Sequence, residues 1–207
     1  MLSVFLLAAT ACVAPASDAL TGLWESRKTS QGGLGHALEF RGDGTAVAST
    51  TVIVNLYFRV AKDRLFVGDT ADPAKQSERQ FQVAGDTLIE TQPDGTSIEK
   101  ERLGSATSLG HSIVGAWRYR HYTGATAYER YTDDGRVLFR LPMTAHVGCY
   151  LVSRGQLSMT EPKLVNVRFE IRHNELIMVQ EGSKEFVYSR VTAGPWYPRD
   201  PEQIKSR

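Results

Sequence analysis

Apolar and polar residues alternate with a period of two along most of this chain. Leu38-Glu39-Phe40, Phe58-Arg59-Val60, Phe81-Gln82-Val83 and Phe169-Glu170-Ile171 all place apolar residues on one face and a polar one on the other, the signature of a half-buried strand. Helical periodicity is nearly absent. Turn signals separate the segments at about ten-residue spacing. Gly42-Asp43-Gly44 and Asp133-Asp134-Gly135 are the clearest of them, because Gly accepts the positive φ that tight hairpin turns require. The pattern predicts an all-β protein.

The same signals occur twice, in the same order. Leu20-Thr21-Gly22-Leu23-Trp24 opens the first series and Ile113-Val114-Gly115-Ala116-Trp117 the second. Leu65 and Leu88 have counterparts in Leu157 and Leu176, and each series closes on an arginine, Arg102 or Arg190. An extra polar stretch around Gly68 to Ser77 accounts for the greater length of the first copy. The repeat predicts two domains, residues 20–104 and 112–192, joined by a linker at 105–111 and followed by a Pro-rich tail at 193–207. An open sheet leaves unpaired backbone at both edges, so each domain is expected to close into a small antiparallel up-and-down barrel. A single larger barrel drawing strands from both halves is the alternative. Two separate Gly-x-Trp starts and two closing arginines speak for two barrels.

Gly-x-Trp on a first strand, Asp-Gly hairpins after it and a basic residue on the last strand resemble the lipocalin and wider calycin pattern. More narrowly, the chain resembles short bacterial lipocalin-like domains, present here in tandem. The resemblance implies that each Trp closes one barrel end beneath a basic side chain of its own domain, pairing Trp24 with Arg102 and Trp117 with Arg190. A guanidinium over an indole face gains cation–π attraction and shields the ring from water. The resemblance also implies a non-enzymatic protein that takes a small, largely apolar ligand.

The start of the chain has a different character. Leu2 to Leu7 is strongly apolar and Ala8 to Ala19 is rich in small residues, as in a signal peptide spanning residues 1–19 with cleavage after Ala16 or Ala19. Ala9-Thr10-Ala11-Cys12 also matches a lipobox, in which Cys12 is acylated and becomes the mature N-terminus. Both alternatives predict export to the periplasm or beyond, with a lipid anchor if Cys12 is the first mature residue. No apolar run reaches the roughly 20 residues of a transmembrane helix. Cys12 and Cys149 are the two cysteines, and loss or acylation of Cys12 leaves Cys149 alone, so no internal disulfide is expected.

Composition narrows the function classes. Among 207 residues, 24 are basic and 23 acidic, for a net charge of +1, which provides no basic face for nucleic acid. No Gly-x-Ser-x-Gly elbow, phosphate loop or His-Glu-x-x-His is present. His146 and Cys149 stand three apart on one strand and point to opposite faces, while His36, His111, His121 and His173 are scattered. No metal site, cofactor or enzymatic activity is expected. Glu99, Lys100, Glu101 and Arg102 alternate on the last strand of the first domain and read as a solvated face.

One strand departs from this plain background. In Trp117-Arg118-Tyr119-Arg120-His121-Tyr122, alternation puts Tyr119 and His121 on the Trp117 face. With Tyr131, Phe139 and Phe169 they are the candidate lining of a ligand cavity in the second barrel. The matching strand of the first domain offers Ser26 and Lys28, poorer material for such a pocket. In the tail, Trp196 and Tyr197 are expected to dock on a barrel rather than stand exposed. The function expected is an exported lipocalin-like carrier of a small apolar ligand. The alternative is a cell-envelope interaction or scaffold module with filled barrels and a protein partner.

Overall fold

The computed structural model describes Cys12 and residues 18–104, 112–180, 182, 185–192 and 197. The expected linker, Trp196 and most of the leader and tail lie outside the described residues.

Fourteen strands are formed by the described residues. They are β1 (Gly22–Ser26), β2 (Leu34–Phe40), β3 (Thr45–Ala61), β4 (Arg64–Gly68), β5 (Ser77–Ala84), β6 (Thr87–Thr91) and β7 (Ser97–Leu103), then β8 (Gly115–Arg120), β9 (Thr126–Tyr131), β10 (Arg136–Ser153), β11 (Gln156–Met159), β12 (Leu164–Arg172), β13 (Glu175–Val179) and β14 (Glu185–Arg190). All pairings are antiparallel, as the alternation predicts. No helix among the described residues is long and apolar enough to cross a membrane. The extra polar stretch of the first half forms a short 3-10 turn at Pro73–Lys75, capped by the Asp72 carboxylate.

Neither half closes on itself. Each strand pairs with its neighbours in sequence, β7 pairs with β8 across the expected domain boundary, and β1 pairs with β14 to close the order. A further ladder joins β3 to β10 from Thr45↔Cys149 to Tyr57↔Arg136. These two strands are 17 and 18 residues long, well beyond the usual five or six, and they divide the closed sheet into two rings.

The central ring runs through the contiguous middle of the chain: the second part of β3, β4 to β9, and the first part of β10. The terminal ring is built from the flanks: β1, β2, the first part of β3, the second part of β10, and β11 to β14. A bulge between Pro142 and Thr144 marks the passage of β10 from one ring to the other, at a residue that has no N–H to give to a ladder.

The tryptophan–arginine pairs are consequently exchanged relative to the expectation from sequence. Trp24 lies opposite Arg190 in register and Trp117 opposite Arg102, with guanidinium carbons 4.0 and 4.1 Å from the ring centroids. The five-residue motif explains itself at this site. The indole N–H donates to the carbonyl of the apolar residue four positions earlier, Leu20 at 2.7 Å and Ile113 at 2.8 Å. Each arginine also donates to carbonyls of the same segment: Arg190 to Ala19 and Thr21, Arg102 to Ser112 and Val114. The motif's glycines, at φ 127° and 137°, lie under the guanidinium groups, where a Cβ would come within 2.9 and 2.7 Å of an arginine nitrogen. A second aromatic pair is exchanged too, Phe40 with Tyr150 and Phe58 with Tyr131.

Each ring has its own core. Trp24, Leu38, Phe40, Leu157 and Leu176 fill the terminal ring, and Leu65, Leu88, Trp117, Tyr131 and Val137 the central one. A third cluster, Leu23, Ala37, Tyr128 and Tyr197, packs β1 and β2 against β9. Beside it the buried Arg140 makes a bidentate pair with Glu25, both bonds 2.7 Å, and the Tyr197 hydroxyl donates to the same carboxylate at 2.8 Å. Tyr197 of the tail is therefore docked, where strands from the two rings meet.

Cys12 and Cys149 form a disulfide, with Cα atoms 5.5 Å apart. This corrects the expectation that Cys149 stands alone. That expectation had Cys12 removed with the leader or acylated, whereas the described Cys12 is bonded to Cys149 of β10.

Candidate functional site

The central ring encloses a cavity of about 650 Å³ and the terminal ring one of about 360 Å³. The β3–β10 ladder contributes to both: Val54, Leu56, Val137 and Phe139 to the central cavity, and Ala48, Ser49, Thr50 and His146 to the terminal one.

Tyr119, His121, Tyr131 and Phe139 all line the central cavity. Phe169 does not join them: it lies on β12 and packs against the core of the terminal ring. Exchange of strands is the reason, since β12 follows the point where the chain has left the central ring. His121 stands near the mouth, its ring 6.1 Å from Phe139 and 4.1 Å from Tyr122. Its Nδ1 lies 2.9 Å from the Thr123 hydroxyl. Tyr122, just beyond the end of the strand, is 92% exposed and lines the same cavity.

Beneath the aromatic lining lies a charged network. Lys100 is 1% exposed and Glu90 is fully buried. The Lys100 ammonium donates to Glu90 Oε1 at 2.5 Å and also to Glu129 Oε2. The Tyr131 hydroxyl lies 2.6 Å from Glu90 Oε1 and 3.1 Å from Glu129 Oε2. Tyr119 donates to Glu129 Oε1 at 3.1 Å, and Arg79 to Glu90 Oε2 at 3.1 Å. Arg79, Tyr119, Glu129 and Tyr131 reach the cavity surface, whereas Glu90 and Lys100 lie behind them.

The network sets its own protonation. Burial pushes the Glu90 carboxyl up, but the charge and hydrogen bond of Lys100, the Tyr131 hydroxyl and Arg79 outweigh it and hold Glu90 below its ordinary value. Burial, reinforced by Glu129 and Glu90, raises both Tyr119 and Tyr131 well above the usual phenol range. The two carboxylates, one ammonium and one guanidinium balance in charge. Without that balance each buried ion would carry a desolvation penalty of several kcal/mol.

Lys100 was misread in the sequence as part of a solvated face. Glu101 does lie outside, paired with Arg118, while Lys100 and Arg102 point inward. The misreading came from treating a run of alternating charges as surface. A period-two signal was available: Ile98, Lys100 and Arg102 share one face with the closing arginine.

The terminal ring shows what the same positions look like without charge. Registers align the rings residue by residue. Trp24 faces Leu38 where Trp117 faces Glu129. Leu176 faces Tyr188 where Leu88 faces Lys100. Val167 faces Leu157 where Arg79 faces Leu65. Met178 and Phe40 correspond in the same way to Glu90 and Tyr131. Leu38, Val167, Met178 and Tyr188 line the terminal cavity, with His36, His146 and the half-exposed Phe186 around them. The ring that begins with Ser26 in place of Tyr119 thus encloses the smaller and more uniformly apolar cavity.

Among the described residues no three His, Cys, Asp or Glu side chains gather as a metal site. No family model matches the chain, and neither a curated protein nor a solved structure matches it.

Proposed function

We propose that this is an exported, non-enzymatic lipocalin-like protein whose two rings are small barrels, and that the central barrel binds a small, largely apolar ligand. The observation that carries this reading is the central cavity, about 650 Å³ in volume, within the 300–1,000 Å³ typical of ligand pockets. Its walls combine Val54, Leu56, Val137 and Phe139 with a few polar groups at one end, the usual make-up of a site that holds an apolar body and fixes its orientation. The Trp–Arg closures beneath each ring support the lipocalin-like reading, with partners exchanged between the halves.

Export is supported by the leader-like N-terminus and by the Cys12–Cys149 disulfide, since such bonds persist in oxidising compartments. Three fates of Cys12 exclude one another: removal with the leader, acylation of its sulfur, and the bridge to Cys149. The intact mass of the mature protein, with and without reduction, separates them.

Binding is tested with a fluorescent apolar dye and by native mass spectrometry on the full chain. Phe139→Trp, which fills part of the central cavity, is expected to weaken dye binding about tenfold or more while leaving the fold unchanged by circular dichroism. Unaltered dye binding in that variant, together with unaltered binding when Ala48 of the terminal cavity is enlarged, sinks the proposal.

A further inference from the structure

We infer that the charged floor of the central cavity recognises a neutral hydrogen-bonding end of the ligand, a hydroxyl or a carboxamide, and is not part of the frame that closes the barrel. The inference rests on the reading of that cavity as a ligand site.

The first support is the comparison that the chain makes with itself. The terminal ring closes in the same register with Leu38, Phe40, Val167, Met178 and Tyr188 at the positions of Glu129, Tyr131, Arg79, Glu90 and Lys100. Its Trp–Arg closure has the same geometry as that of the central ring. The fold therefore does not need the charges. Buried ion networks are commonly matched or surpassed in stability by well-packed apolar residues of similar volume. Carrying a four-charge network in one ring alone points to a use inside that ring.

The second support is the hydrogen-bonding capacity left at the cavity surface. Among the described residues Glu129 Oε1 accepts one bond, from Tyr119, and the Tyr119 oxygen accepts none, although each has room for another. The Arg79 guanidinium, its side chain 23% exposed, gives one N–H to Glu90 Oε2 and carries further donors. Arg79, Tyr119 and Glu129 all line the same cavity. Donor and acceptor capacity thus stand together, which suits a group that both gives and accepts a hydrogen bond.

The third support is charge. Arg79 and Lys100 balance Glu90 and Glu129, and at the rim Arg120 faces the cavity together with Glu99. An ionic ligand end entering this site would find no uncompensated opposite charge to offset its own desolvation. A neutral end has no such penalty. The terminal cavity offers no matching network and suits a body without a polar end.

The test compares three probes of one shape, naphthalene, 2-naphthol and 2-naphthoate, titrated near neutral pH against the full chain. An Ala48→Phe background fills the terminal cavity. The expected result is that 2-naphthol binds about tenfold more tightly than either of the others, as one or two satisfied hydrogen bonds imply. Tyr119→Phe and Glu129→Gln should each reduce the preference for naphthol over naphthalene to about twofold. A further variant gives the central ring its neighbour's residues: Arg79→Val, Glu90→Met, Lys100→Tyr, Glu129→Leu and Tyr131→Phe together. It should fold, melt no lower than the parent and lose the preference for naphthol over naphthalene. Equal binding of the three probes, or tightest binding of naphthoate, overturns the inference and leaves the cavity reading standing. Failure of all three probes to bind overturns both. Unfolding of the five-residue variant overturns the claim that the charges are dispensable to the frame.

Discussion

At the residue scale, the five-residue motif is a device for closing a ring. The leading apolar residue supplies a carbonyl to the indole, the glycine makes room for a guanidinium, and the tryptophan is the plug. Gly115→Ala forces a side chain into backbone at φ 137° and against Arg102, and strain of this kind typically costs about 1–3 kcal/mol. Urea unfolding of that variant is expected to show such a loss, and Gly22→Ala should match it. Lys100 answers to a different rule. Lys100→Met leaves Glu90 and Glu129 buried without their shared cation, so a loss of about 3–5 kcal/mol is expected, measured in the same way.

The buried network also fixes how stability varies with pH. Glu90 is held below its ordinary value in the folded state, so its contribution is present above the unfolded carboxyl value of about 4.3 and is lost as pH falls below it. Tyr119 and Tyr131 are raised. The unfolded chain gives up those phenolic protons first, and stability should fall as pH rises past about 10. Melting temperature against pH is expected to decline at both ends. In the five-residue variant the acid limb should flatten.

At the element scale, strands were far more legible than their pairing. Alternation and Asp-Gly turns mark nearly every strand, because side-chain period and turn chemistry are local properties. Which strand closes against which is not local. One signal was nevertheless present in β3: from Thr45 to Ala61 it has neither Gly nor Pro and is dense in β-branched residues. A strand of that length exceeds what one small ring can use and has to pass into a second. In β10 the sequence marks the passage with Pro142 at the bulge. Tyr119 with His121 just beyond its strand, and Tyr131 and Phe139 from the strands that follow, were legible as neighbours because they line one cavity and stand close in sequence. Legibility failed at Phe169, which lies beyond the crossover, and at the charged floor, where a buried Lys was taken for a surface one. Cys149 is the same kind of failure, since nothing local to either cysteine announces a bridge across 137 positions.

At the scale of the whole molecule, the exchange of strands makes the two halves of the sequence interdependent. β1 requires β14, β7 requires β8, and the longest ladder joins β3 to β10. Cutting the chain within residues 105–111 is expected to leave both fragments bound to each other on gel filtration. Each fragment made alone should be unfolded by circular dichroism, because each then exposes several unpaired edges. Fragments that fold separately as monomers would show that strand exchange is not obligatory. The disulfide contributes at this scale as well. Cys149→Ser is expected to cost about 2–4 kcal/mol in a mature chain that retains Cys12, and nothing in one that has lost it.

In the sequence, the strands of the central ring lie between those of the terminal ring, and this sets an order of events. The central ring consists of consecutive strands and is complete as soon as the first part of β10 has been made. The terminal ring opens with β1, whose partner β14 ends at Arg190, so its first strands wait through most of synthesis with their edges bare. Contacts this distant in sequence form late and slowly, and waiting edges invite foreign strands. The protein is therefore most vulnerable to misassembly in the interval between the emergence of Trp24 and that of Arg190.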